Sequence, residues 1–361
     1  MRIALLTAKE LQEKEFVNKI LIMSKVVYLL GAGASFGTRE NGIGSPIVTG
    51  LPIVSEIEGE LESMANLLVS LPLNDKDLEE CKQRLVKDFR DLKEQCAGST
   101  IDSYAKKLWL QNDMQGFSRV ELLLTIFFIL EQIVHRPDAR YWAFLSKVAP
   151  RDKGIDALSL LEEIGILSWN YDNQIELAYR QFFGDNYSYI RERLGIYDVK
   201  DYEQKHQSQK YCKIIKLNGT ANFTQEEDWL SSSDNNTIDE TVLKKVLKRY
   251  DECIQRGTCY GMLRLNFAWE KRWSEDMLTY KIPQLVHDAQ TLIVIGYTFP
   301  DYNRDIDRTI FENMPNLRNI YIQDPNAEHV EQSVLLMASQ RHLNIELFQN
   351  RIEQFFLPPE L

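Results

Sequence analysis

At 361 residues, 44% hydrophobic and 26% charged, the chain has the composition of an ordinary soluble protein, long enough to bury a full core as one large domain with insertions or as two domains. Its 53 acidic against 42 basic residues leave a formal charge of −11, which excludes a general electrostatic attraction to nucleic acid or anionic lipid. Five cysteines (Cys81, Cys96, Cys212, Cys253, Cys259), never spaced Cys-x-x-Cys, point to reduced thiols and away from a structural zinc ribbon.

Residues 1–24 read as an N-terminal extension, either an appended helix or an over-extended start. The opening MRIALLTAKELQEKEF breaks its apolar run with Lys9 and Glu10 before a signal-peptide core is complete, so the protein is expected in the cytoplasm. The first strand is predicted at KVVYLLG (25–31), and helical periodicity follows over residues 54–150. Within that interval VELLLTIFFIL (120–130) is about half the roughly 20 residues that a membrane span needs, and it reads as a buried helix. Further strands are predicted at GILSWN (165–170) and KIIKLNG (213–219). An acidic, partly helical interval over 225–285 then carries a linker-like SSSDNNT run at 231–237. The last predicted strands are TLIVIGY (291–297), NIYIQD (319–324) and LNIELF (343–348). Nearly continuous apolar strands are those covered on both faces, so the expected class is α/β: a Rossmann-like parallel sheet with helices on both faces. The intervals 54–150 and 225–285 are expected to form an inserted, mostly helical module.

Ligands of open parallel sheets bind beyond the carboxyl ends of the strands, so the residues ending each run are the candidates. The first run ends in Gly31, Ala32, Gly33, Ala34 and Ser35, a turn whose glycines permit close backbone approach to a pyrophosphate. It lacks the third glycine of the dehydrogenase fingerprint, which is Phe36 here, and no Gly-Lys-Ser/Thr of a Walker loop follows. The next run ends in SWNYD, with Asn170 and Asp172, and the one after in Asn218 and Gly219; a local turn role is open for each. Gly296 and Thr298 end another, and Gln323 and Asp324 end the fifth, where Asp324 with Pro325 can also serve simply to stop the strand.

The order of these five polar strand ends resembles the sirtuin family. It is closest to the sirtuin-like proteins of bacterial antiphage defence: GAGASFG, TGLP (49–52), IDSYAKKL (101–108), WNYDNQIELAY and IGYTFPD all look like that branch. The deacetylase branch has a Gly-Ile-Pro-Asp-Phe-Arg loop and a four-cysteine zinc module, whereas here Pro52 runs into Ile53, Val54 and Ser55 and no cysteine quartet exists.

The resemblance implies cleavage of NAD+ at the nicotinamide–ribose bond, with NAD as substrate and no zinc. It implies Asn170 as the positioning residue and Asp172 as support for the loop or the developing positive charge. Gly31, Ala32, Gly33 and Ser35 would hold the pyrophosphate, Gly296 and Thr298 would lie against ribose and phosphates, and Gln323 with Asp324 near adenosine. One departure stands out: the family places a histidine where this chain has Asn218, an amide that binds a hydroxyl but accepts no proton. The expected function is therefore an NAD+ hydrolase that depletes NAD in defence, active or silenced; the alternative is a non-catalytic subunit binding NAD or ADP-ribose. A homo-oligomer and a partner such as a HerA-type ATPase are implied by family analogy, with no direct nucleic-acid or membrane contact.

Overall fold

The computed structural model describes residues 24–149, 161–184, 186–198, 212–224, 229, 236–270, 277–338 and 341–361. Residues 1–23 of the expected N-terminal extension, most of the SSSDNNT run and His206 lie outside the described residues.

In chain order, β1 (Val26–Leu30) is followed by a hairpin, β2 (Thr38–Arg39) and β3 (Ile47–Thr49), and by five helices: α1 (Ile57–Ser70), α2 (Lys76–Cys96), α3 (Ile101–Leu110), α4 (Met114–Val134) and α5 (Ala139–Val148). Then come β4 (Ile164–Ser168), α6 (Gln174–Phe183), α7 (Tyr187–Leu194), β5 (Ile196–Asp198), β6 (Ile214–Lys216), β7 (Gly219–Phe223), α8 (Glu240–Arg256) and β8 (Leu263–Leu265). The chain closes with α9 (Ile282–Val286), β9 (Thr291–Ile295), α10 (Arg304–Glu312), β10 (Asn319–Gln323), α11 (Ala327–Ala338) and β11 (Asn344–Phe348).

Seven strands form one sheet in the order β11-β10-β9-β1-β4-β6-β5, and every pairing in it is parallel. This is the expected Rossmann-like α/β architecture, with all six predicted strands in the sheet. The seventh, β5, is a three-residue edge strand. All five residues of β1, β4 and β9 are buried. Each fully buried aliphatic side chain contributes about 1.5–3 kcal/mol, so burial of these central strands anchors the sheet.

One face of the sheet packs Val27, Leu29, Leu292 and Ile320 against α9, α10 and α11. The other packs Val26, Tyr28 and Ile166 against α5 and α6, with Tyr28 meeting Phe144 edge-on at 4.9 Å between ring centres. A third core joins α1 to α4 with α8, β7 and β8, so the two long intervals of the sequence meet in one apolar cluster. The boundaries differ from the expected ones. Helix α5 falls inside 54–150 and α9 straddles the end of 225–285, yet both cover the sheet, because Tyr141, Phe144 and Leu285 carry their apolar faces to it.

The stretch VELLLTIFFIL is buried along its whole length in α4, at the centre of the third core. Among the described residues no helix is long and apolar enough to cross a membrane. Helix α8 shows how local sequence sets the ends of these elements. Asp239 caps it by accepting from Val242 N at 2.8 Å, Val242, Val246 and Tyr250 form its buried stripe, and Gly257 stops it in the left-handed region at φ +67°.

Candidate functional site

The lateral order β10-β9-β1-β4-β6 brings the five polar strand ends side by side along one rim. At the usual spacing of about 4.8 Å per strand, the rim from Gln323 to Asn218 covers about 19 Å.

At its centre the turns after β1 and β9 interlock through their backbones. A Cβ on Gly33 would stand 2.7 Å from Gly296 Cα, one on Gly31 would stand 2.5 Å from Gly296 O, and one on Gly296 would meet Gly33 Cα at 2.4 Å. Gly296 also has φ +58°, where a side chain is strained. Gly31 N donates to Ile295 O (3.0 Å), Gly33 N to Gly296 O (3.0 Å) and Ala34 N to Gly31 O (2.9 Å). These glycines are thus required by each other, and three amides of the turn are bonded within the fold. Ala32 is half-buried in the turn.

Asn170 reaches across from β4. Its Nδ2 donates to Gly31 O (2.9 Å) and to Ser35 Oγ (3.1 Å), and Ser35 Oγ pairs with Tyr141 Oη at 3.0 Å. Asp172 accepts from Gln174 N at 3.0 Å, at the start of α6. Burial raises its carboxyl above the ordinary range, against the pull of Lys216 and Ser35. Lys216 is itself held by the Asp172 carbonyl and by Glu176 at 2.9 Å.

Asn218, one strand further, donates Nδ2 to Trp169 O at 3.0 Å. Its Oδ1 is buried and accepts no hydrogen bond. A buried carbonyl oxygen left in that condition costs on the order of 1–3 kcal/mol until a donor arrives. Asn170 and Asn218 are each 7% exposed, so the site is covered. Asn266 N donates to Asn218 O (2.9 Å), Phe267 stacks on Trp269, and Trp269 meets Tyr302 edge-on; Tyr302 Oη in turn pairs with Ser103 Oγ of α3 at 3.1 Å. Because β1 and β4 lie between β9 and β6, this chain of contacts bridges their ends. Asp102, in the same IDSYAKKL stretch, accepts from Tyr171 Oη at 3.4 Å, and burial pushes its carboxyl up to about 6.

Compared with models of known protein families and with curated proteins, the chain matches none.

Gln323 and Asp324 are turned to structural work at the far end of the rim. Gln323 Nε2 donates to Gln354 O (2.6 Å) and to Arg351 O, and its Oε1 accepts from Phe356 N (3.1 Å), so the amide pins the C-terminal segment at both ends. Asp324 accepts from Asn326 N at 2.7 Å and its carbonyl from Ala327 N at 3.1 Å, which opens α11. Thr298 is exposed beside the interlocked turn.

Several residues of the site carry no sequence signal. Arg140 donates Nη2 to Gly33 O (2.9 Å) and Ala34 O (3.2 Å), placing a cation behind the first turn while Asp138 holds it. Asp307 accepts from Trp169 Nε1 (3.1 Å) and Tyr297 Oη (2.7 Å), tying the β4 and β9 ends together from below. Burial pushes Asp307 up to about 7. Among the described residues no group of three or more His, Cys, Asp or Glu is arranged to hold a metal ion.

Proposed function

We propose that the chain is an NAD+ glycohydrolase, converting NAD+ and water to nicotinamide, ADP-ribose and a proton. The observation that carries this reading is the unpartnered Oδ1 of Asn218, buried at the strand end beside that of Asn170. An acceptor oxygen in that place suits a ribose hydroxyl, and it sits where the sirtuin resemblance expects the nicotinamide ribose.

The reaction expels a good cationic leaving group through an oxocarbenium-like state, so the protein's task is to orient the ribose, exclude bulk solvent and admit one water. Asn170, fixed by Gly31 O and Ser35, orients the sugar; Asn218 Oδ1 takes a hydroxyl proton into a hydrogen bond; Asp172 holds the loop between them. The pyrophosphate lies over Ala32 and Ser35 with Arg140 behind, and Thr298 flanks it. Gln323 makes its bonds to the C-terminal segment, which leaves the adenosine end to Asp324 and the residues around it.

By the same resemblance the protein serves antiphage defence in the cytoplasm by depleting NAD, as a self-associating effector with a partner such as a HerA-type ATPase. The test is nicotinamide release by the full chain, alone and with such a partner, against a folded Asn170→Ala protein. Release at equal rates by both would overturn the reading. A second reading, a non-catalytic binder of NAD or ADP-ribose, draws on one observation: none of the four described histidines, His135, His287, His329 and His342, lies at the carboxyl end of a sheet strand. NAD binding without nicotinamide release under any condition would favour it.

A further inference from the structure

A cleft of about 410 Å³ lies between residues 44–47 of the hairpin, one face of α1 and the last turn of α4. Pro46, Met64, Leu67 and Val134 give it apolar walls, and Glu60, Glu131 and His135 bring charge-bearing groups to it. The volume falls in the range of small-molecule sites.

Glu131 is the informative residue. It is 1% exposed and lines the cleft, yet its Oε2 accepts no hydrogen bond; His135 Nε2 stands 3.3 Å away in a geometry that forms none. Arg39, whose charge reaches Glu131, is committed to Glu56 and to the carbonyls of Phe36 and Leu51. Among the described residues no Lys or Arg pairs with Glu60 or Glu131. His135, at ion-pair distance, is a counter-charge only when protonated; beside a neutral imidazole the buried carboxylate is costly, and an incoming cation removes that cost.

We propose that this cleft binds a small organic cation, an amidinium, guanidinium or ammonium head on an apolar body, with the head at Glu131 and Glu60 and the body against Met64 and Leu67. Planar amidinium and guanidinium heads match a carboxylate with two parallel hydrogen bonds. The site stands apart from the NAD reading and does not depend on it.

The titratable and charged groups facing Glu131 are His135 on its own helix, Glu60 on α1 and Arg39 from the hairpin; Glu56 also faces Glu60. Burial holds both Glu131 and Glu60 above the ordinary carboxylate range. A cation stabilises their charged forms, so binding releases protons and tightens as pH rises.

Benzamidine is the probe and benzamide, of the same shape without the charge, is its control. Each is titrated calorimetrically into the full chain in two buffers of different ionisation enthalpy. Saturable benzamidine binding with proton release is expected, with benzamide at least about tenfold weaker and Glu131→Gln weakening benzamidine by at least about tenfold, as for loss of one partner of a charge-assisted contact. Leu67→Trp, at a half-buried position of the wall, fills the cleft and abolishes binding while leaving Glu131 in place, so the location is tested even where Glu131→Gln fails to fold. Absence of saturable benzamidine binding at millimolar concentration, equal affinity for benzamide, or undiminished binding by Leu67→Trp overturns the proposal.

Discussion

Replacing Asn218 by histidine tests the proposed chemistry at the position where the sirtuin reading expects a histidine. Asn218 uses one atom, Nδ2, to hold Trp169 O at 3.0 Å, and leaves Oδ1 buried and without a donor. An imidazole can keep the first contact through one ring N–H and present its other nitrogen as an acceptor, so the anchor survives and a proton acceptor is added. General-base assistance is worth about 10²- to 10⁴-fold, or about 2.7–5.5 kcal/mol of barrier at about 1.4 kcal/mol per tenfold. The larger ring enters a tightly covered site, for which overpacking costs about 1–3 kcal/mol of stability. The assay pairs NAD affinity with nicotinamide release for the two proteins, with any required partner present and folding checked by circular dichroism. The expected outcome is turnover raised on the order of 10² or more with affinity changed far less, because both side chains accept a hydroxyl. Equal, readily measured turnover would refute the argument: position 218 would then only hold the sugar, and water would capture the oxocarbenium unaided.

Asn170→Ala removes the contacts to Gly31 O and Ser35 and is expected to abolish nicotinamide release with the fold retained, checked by activity and circular dichroism together. Gly296→Ala combines a left-handed residue, costing about 1–2 kcal/mol, with a Cβ 2.4 Å from the Gly33 backbone, so thermal melting should show a larger loss than Gly184→Ala, whose φ is +67° but whose Cβ meets nothing within 4 Å. Equal losses would mean the two turns part easily. For Asp307, the gap between 3.8 and about 7 means that the folded protein keeps a proton that the unfolded chain has lost, so stability falls as pH rises across that window. The full gap corresponds to about 4 kcal/mol at about 1.4 kcal/mol per tenfold, and Asp307→Asn should flatten the slope in urea unfolding between pH 4 and 7.

The sheet was legible because its strands are apolar on both faces, a signal that needs no knowledge of partners. Strand β5 was not: three residues, Ile196, Tyr197 and Asp198, are too few for a period, and Asp198 carries a buried pair with Arg264 that only the folded chain assembles. Helix α5 reads as part of the inserted helices because its amphipathic pattern does not say which core receives it. At the site, strand ends could be found by position, and Asn170, Ser35 and Asn218 do converge on neighbouring ends. Tyr141 and Asp307 could not, since they arrive from 106 and 138 residues away in sequence. The bonds of Gln323 were illegible for the same reason: what occupies its amide is a segment 28 to 33 residues further on.

The trio of Gly31, Gly33 and Gly296 has a consequence for how such a sequence can change over time. Each is hemmed in by backbone of the turn across from it, so a methyl group gained at any one position is blocked by a partner that cannot yield, and no order of single replacements leads out. The Gly-x-Gly signature here is therefore a record of the neighbouring strand, and it would persist through drift whether or not a ligand lay over the turn.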